Sequence, residues 1–140
     1  MTGFRKVFID TSPVIYYLEN NPQYKDKIKE FLEECLKNHV QLVTSAITIE
    51  EYLVFPYSAN KTELVDNFKR FLAYLNIETI TIDSDIAEQA AKLRGKYKSF
   101  KAMDSLQLAS AMASGCDLFL TNDKQLRQEE EISCMTMDAL

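Results

Sequence analysis

K-V-F-I-D-T-S-P-V-I-Y-Y-L-E, from Lys6 to Glu19, decides how the rest of the chain reads. Lys6 to Ile9 is a short apolar run with β-branched residues, which predicts a buried strand. Ser12 reads as an N-cap with Pro13 at the first helical position, which opens a helix through about Glu19. Asn20-Asn21-Pro22 breaks that helix. Asp10 is thus left between a strand and a helix, where an acid is either a cap or part of a site.

The same alternation continues outward. Tyr24, Ile28, Phe31, Leu32, Cys35 and Leu36 line one face of a helix between Gln23 and Leu36, with Lys and Glu on the other face. Val40 to Thr44 predicts a second strand. A helix from about Ile47 to Phe55 is expected to stop before Pro56, because the residue before proline disfavours helical geometry. A polar loop follows, then a helix from Thr62 to Leu75, a third strand from Ile77 to Ile82 and a helix from about Asp85 to Tyr97. Ala102 to Ala113 is rich in strong helix formers, and Gly115 supplies its stop. Leu118 to Thr121 and Ile132 to Cys134 complete the strands. Strands separated by helices, with no tight hairpin signals, predict an α/β fold with a mostly parallel sheet covered on both faces.

The 140 residues are 46% hydrophobic, enough for one domain, 1–140, with a single sizeable core. No stretch approaches the roughly 18 apolar residues of a membrane span, and Met1 to Arg5 is too short and polar to open a signal peptide. The expectation is a cytoplasmic protein with no membrane association. Cys35, Cys116 and Cys134 are odd in number and lack paired spacing, so they read as buried thiols rather than zinc ligands or disulfides. A net charge of -5 argues against nonspecific coating of nucleic acid, although a basic patch beside an acidic site remains compatible with it.

In open parallel sheets ligands bind beyond the carboxyl ends of the strands. Asp10 follows the first strand, Glu51 lies one helical turn past the second, and Asp123 follows the fourth in Thr121-Asn122-Asp123. Asp104 joins them as a lone acid in the first turn of an apolar helix. Each has a plainer explanation. Thr48-Ile49-Glu50-Glu51 fits a capping box, Asp10 and Asp123 can cap the next turns, and Asp104 can complement a helix dipole. Together they carry more weight, because clustered carboxylates repel unless a cation neutralises them or some are protonated. Magnesium suits such a set, taking one or two carboxylates directly and the others through water.

The segments V-F-I-D-T-S-P-V-I-Y (Val7 to Tyr16), S-A-I-T-I-E-E (Ser45 to Glu51), K-A-M-D-S-L-Q-L-A-S-A (Lys101 to Ala111) and D-L-F-L-T-N-D (Asp117 to Asp123) resemble the four motifs of PIN domains, in the family's order, particularly those of VapC-type toxins. The resemblance implies a three-layer α/β/α domain. It also implies an endoribonuclease that uses Mg2+ or Mn2+ and leaves 5′-phosphate and 3′-hydroxyl ends. Asp10, Glu51, Asp104 and Asp123 would be its acidic catalytic residues, with Asp10, Asp104 and Asp123 on the metal. Glu50 competes with Glu51, which the family's Thr-x-x-Glu spacing favours. Ser12, where many relatives carry Asn, and Thr121 would be hydroxyls supporting the site. A cognate antitoxin and a homodimer are further implications. A degenerate module that binds RNA or protein without cleaving is the alternative, against which the complete acidic set counts.

Lys92, Arg94, Lys96, Lys98 and Lys101 are interleaved with Tyr97 and Phe100, with no acid among them. Such a run fits RNA, cations on phosphates and a ring stacking on a base, or else a solvated helix end. Arg94, Lys96, Lys98 and Lys101 are the substrate-binding candidates. Other chemistries lack their parts. His39 is the only histidine and is expected at the surface, ending a helix, so a two-histidine ribonuclease is excluded. Gly3, Gly95 and Gly115 build no phosphate loop. Asp10-Thr11-Ser12 lacks the second acid of an aspartyl phosphatase.

Overall fold

A computed structural model describes residues 3–140; Met1 and Thr2, the head of the segment read as too polar for a signal peptide, lie outside the described residues. Five strands, β1 (Lys6–Ile9), β2 (Gln41–Ser45), β3 (Glu78–Ile80), β4 (Leu118–Thr121) and β5 (Ser133–Thr136), form one sheet in the order β3-β2-β1-β4-β5. Every pairing is parallel. The helices are α1 (Thr11–Leu18), α2 (Lys25–Lys37), α3 (Ala46–Ser58), α4 (Thr62–Tyr74), α5 (Ser84–Lys96) and α6 (Ala102–Ala113). The expected α/β/α layering is what forms.

Successive strand residues point to opposite faces, and both faces are buried. Val7, Ile9, Leu42, Leu118 and Leu120 pack with Val14, Ile28, Phe31, Leu32, Tyr52, Phe68 and Phe71 from α1 to α4. Phe8, Val43 and Phe119 turn the other way, onto Ile86, Ala90 and Leu93 of α5 and Leu108, Ala109 and Ala111 of α6. Phe8 and Phe119 face each other in the β1–β4 register, their rings stacked at 5.2 Å. On the opposite face, Tyr52 stacks on Phe68 at 4.6 Å and joins α3 to α4.

Strand order reverses between β1 and β4, since the chain runs outward through β2 and β3 and then returns to the far side of β1. The crevice at such a switch point, beyond the carboxyl ends of the strands, is where ligands bind in open α/β sheets. Asp10 and Asp123 follow the two strands that flank it.

Several boundaries differ from expectation. The N-cap of α1 is Asp10, not Ser12, so Pro13 sits third in the helix. Ser45 caps α3, which places Thr48 inside the helix and dissolves the expected capping box. Pro56 lies within the last turn of α3, where it is buried, instead of ending the helix ahead of it. The third strand is only Glu78–Ile80, and the fifth runs on to Thr136. Gly115 does end α6 with φ +76°, but Asn20, His39, Asn60 and Asn76 take the same left-handed position after α1 to α4. In each, two backbone N–H groups reach back to the last carbonyls, as Val40 does to Cys35 and His39 to Leu36. His39 is exposed and ends α2, as expected.

A candidate carboxylate centre at the switch point

Asp10 is 6% exposed, and its carboxylate is surrounded by donors. Oδ1 accepts from the Thr11 backbone N–H at 2.9 Å and from Gln107 Nε2 at 3.1 Å, while Oδ2 accepts from Thr121 Oγ1 at 2.8 Å. Burial pushes this carboxyl above its ordinary range, and the three donors pull against that shift. They favour the ionised form, because a carboxylate only accepts and a protonated acid would set a hydrogen against one of them.

Glu51 is on the exposed side of α3, and its Oε1 accepts from Thr11 Oγ1 at 2.6 Å. Its negative charge is felt at Asp10. Glu51, one residue past the exposed Glu50, is therefore the acid that contacts the helix Asp10 caps. Thr11 Oγ1 also lies 3.1 Å from Thr48 Oγ1.

Asp104, in the first turn of α6, is half-buried and pushed up to about 6. Burial is the largest cause, followed by the charges of Asp10 and Asp123 and a hydrogen bond shared with Asp123; Lys101 opposes them. Asp123 caps the short 3-10 turn Lys124–Gln128, accepting from Gln125 N–H at 3.0 Å, while its own N–H donates to Thr121 Oγ1 at 3.1 Å. The capping roles foreseen for Asp10 and Asp123 are real, yet they leave both carboxylates close enough to bias Asp104.

Among the described residues, no three His, Cys, Asp or Glu side chains are arranged as a ready ligand sphere. Asp10 is turned to its protein donors, and Asp104 and Asp123 to each other. This donor set still fits a hard cation that keeps most of its waters, which needs only one or two carboxylates directly. The like charges raising the Asp104 carboxyl are the observation that favours such an ion. Thiolates do not compete, since burial pushes the Cys35 and Cys134 thiols up to about 12.

Thr121, expected as a supporting hydroxyl, donates directly to Asp10. Ser12 is second in α1, and the hydroxyl that joins the carboxylates is Thr11 instead. Gln107, Ser45 and Thr48, all within 1% of full burial, were not foreseen. The available signal was a lone amide one helical turn beyond Asp104 in a run of small and apolar residues.

The basic run divides. Lys101 precedes α6 and is close enough to Asp104 to lower its carboxyl, and Arg94 and Lys98 are exposed. Lys96 lies over the Tyr97 ring at 5.2 Å and feels the charges of Glu129 and Glu131. Phe100 cannot stack on a base as expected: it is 4% exposed, in the core beside α5 and α6, with Tyr97 stacked on it at 4.7 Å.

The sequence profile of the PIN domain matches residues 7–131. No curated protein matches the chain significantly. In structure, the chain is similar to one in VapBC2 from Rickettsia felis bound to a promoter DNA fragment, with TM-score 0.78, 18% identity and coverage of 94% of this chain and 98% of that one. It is also similar to one in a toxin-antitoxin complex from Klebsiella pneumoniae, at TM-score 0.69 and 24% identity, covering 94% and 97%. VapC20 of Mycobacterium tuberculosis, a toxin cleaving the sarcin-ricin loop, gives 0.63 and 13%, covering 81% and 86%. At these identities the likenesses speak for the fold.

Proposed function

The chain belongs to the PIN-domain family, and on that premise we propose that it is a divalent-metal-dependent endoribonuclease, acting as one domain over residues 1–140. The observation that carries this reading is the collection of Asp10, Asp104 and Asp123 at the switch point, with Asp104 raised to about 6 by burial and by the charges of its acidic neighbours. Asp10, Asp104 and Asp123 would hold Mg2+ or Mn2+, and Glu51 borders the same site. The ion, when bound, supplies positive charge that polarises a phosphodiester and acidifies water.

The chain's own groups then have separate tasks. Asp10 is a fixed anion, held in one rotamer by Thr11, Gln107 and Thr121. Glu51, whose Oε1 accepts from Thr11 Oγ1, would take a proton from an attacking water, and its exposure and fixed orientation support that role. Lys101, with Arg94 and Lys98 on the rim, offers charge to flanking phosphates. Lys96, being beside Glu129 and Glu131, contributes less.

The reading extends to the toxin of a toxin-antitoxin pair in the cytoplasm, because solved structures of similar fold are such pairs. Among the described residues no helix is long and apolar enough to cross a membrane. A groove of about 570 Å³, lined by the apolar Leu32, Leu36 and Phe71 and by the charged Lys29, Glu33 and Arg70, supports a protein partner, as does Tyr74 at 80% exposure. A homodimer would need a second apolar face, and Val54, Phe55 and Tyr57 on α3 are exposed.

The test is direct. Purified protein with Mg2+ or Mn2+ should cut RNA to 5′-phosphate and 3′-hydroxyl ends, and Asp10→Asn should not. If wild type and Asp10→Asn leave structured and unstructured RNA equally intact, the nuclease assignment fails. Expression without a partner should arrest growth, and normal growth would remove the toxin role alone.

A further inference from the structure

Gln107 lies behind the carboxylate centre, between Asp10 and the threonines that reach Glu51. It is 1% exposed, on α6, and its amide meets Ser45 at the end of β2, Asp10 and Thr11 at the start of α1, and Thr48 in α3. The direction of each hydrogen bond can be worked out from what each group is able to give. Ser45 Oγ accepts from the Ile47 backbone N–H at 3.1 Å as the N-cap of α3, so its hydrogen is available to Gln107 Oε1, which it contacts. That fixes the amide with its nitrogen toward Asp10, an acceptor only. One Nε2 hydrogen goes to Asp10 Oδ1 at 3.1 Å and the other to Thr48 Oγ1 at 2.8 Å, while Thr11 Oγ1 lies 3.5 Å from the same nitrogen, at the outer limit of a hydrogen bond, so Thr48 is the stronger route. Thr11 must spend its hydrogen on Glu51 Oε1 at 2.6 Å, so in the 3.1 Å contact between the two threonines Thr48 is the donor.

Every donor in the chain therefore points the same way, from the start of α3 through Ser45 to Gln107, and then along two branches. One branch ends on Asp10 and the other passes through Thr48 and Thr11 to Glu51. No buried side-chain polar atom among the described residues is left unsatisfied. Fully satisfied buried networks fix geometry, and partly satisfied ones do not.

We propose that Gln107 is a positioning residue that couples Asp10 to Glu51, holding the two carboxylates in register through a one-directional relay of its own amide, Thr48 and Thr11. The relay is a property of the folded chain; its effect on the metal and on cleavage rests on the nuclease reading. Partners that orient metal-binding side chains typically change metal affinity or activity by about 10- to 100-fold when removed.

The experiment separates these levels. In metal-free, 15N-labelled protein, the Gln107 side-chain amide signal is identified by its loss in Gln107→Met. Glu51→Gln should shift that signal although hydroxyls intervene, and Thr48→Val, which keeps shape and removes one hydroxyl, should cut the response sharply, leaving only the long 3.5 Å contact of Gln107 with Thr11 Oγ1 to carry it. A Gln107 signal indifferent to Glu51→Gln, or a response undiminished by Thr48→Val, overturns the relay whatever the protein does to RNA. Mn2+ binding, followed by electron paramagnetic resonance, should weaken about 10- to 100-fold in Gln107→Met, and kcat should fall with KM for RNA unchanged. Thr48→Val added to Gln107→Met should cost little more than Gln107→Met alone. Should Gln107→Met fail to fold, Thr48→Val carries the same two readouts. Unaltered Mn2+ affinity with an intact amide response would overturn the positioning role. A wild type that binds no Mn2+ and cuts no RNA would instead sink the nuclease reading and leave the relay to the amide signals.

Discussion

The two sides of the carboxylate centre are built on opposite principles. Around Asp10 the protein supplies everything: three donors converge on a nearly inaccessible carboxylate, and the hydroxyls behind them are themselves paired. Around Asp104 and Asp123 it supplies one backbone donor, the Gln125 N–H on Asp123, and otherwise more negative charge, with Lys101 as a partial counterweight. The difference teaches which half is finished on folding and which is left for an outside cation to complete. Preorganised dipoles cost no rearrangement when the reaction occurs, whereas unrelieved repulsion stores affinity for a positive ion at some expense in stability.

Five substitutions or conditions would break or sharpen this contrast. Asp10→Asn should have the largest effect, loss of RNA cleavage by about 1,000-fold or more, comparable to removing a principal electrostatic group. It should also lower the thermal midpoint, because the new amide puts hydrogens against the N–H and O–H groups aimed at Asp10. Asp104→Asn should abolish cleavage too, but with the opposite sign in stability. Its midpoint without metal should rise by about 2–4 °C, the equivalent of ~1 kcal/mol. A fall in both variants would show that the two sides are not different in kind.

Mg2+ or Mn2+ at about 100 times its dissociation constant should stabilise the wild type by about 2.7 kcal/mol, reversibly with a chelator. Differential scanning fluorimetry should find that gain greatly reduced in Asp104→Asn. Acidity offers a smaller test of the same half. The Asp104 carboxyl stands at about 6 against an ordinary 3.8, so the folded chain binds this proton more tightly than the unfolded chain. Its contribution is most favourable below the ordinary value and is lost as pH rises through about 6. The stability of metal-free wild type should therefore decline between about pH 4 and about pH 6 relative to Asp104→Asn, and parallel curves would refute the assignment. The smallest expected effect is Lys101→Ala, a severalfold rise in KM for RNA that shrinks with added salt.

How much of this was readable in advance depended on whether a residue's partners were near it in sequence. β1, β4 and α6 begin and end where periodicity and composition placed them, because each is a strongly apolar run with abrupt polar ends. Helix starts were missed by a residue or two, since Asp10 and Ser45 outcompeted Ser12 and Thr48 as caps once the strands had set their backbone in the extended region. Asn20, Asn60 and Asn76 looked like loop residues, and only the fold shows them doing at helix ends what glycine does after α6. The four acids were visible through their place after strands and their order. Gln107 was not, because its partners Asp10, Ser45 and Thr48 lie 59 to 97 positions away on other elements. Phe100 misled for a different reason: the basic residues around it looked like a solvent face, and only the packing of the flanking α5 and α6 on the sheet turns its ring into the core.

The sheet ends abruptly on both sides. Its outermost strands are three and four residues long, and β3 begins at Glu78, which takes a hydrogen bond from Gln41 at 2.8 Å and lies 3.8 Å from Lys6 Nζ. An unpaired strand edge is a template on which another polypeptide can crystallise, and short, charged edges are how natural proteins refuse that role. Two copies of this chain meeting edge to edge would gain few main-chain bonds, and at the β3 edge they would also have to strip water from the Glu78 carboxylate. Fibrous growth is thereby discouraged in the free molecule, and any contact between copies falls to side chains on the helices, where recognition can be selective.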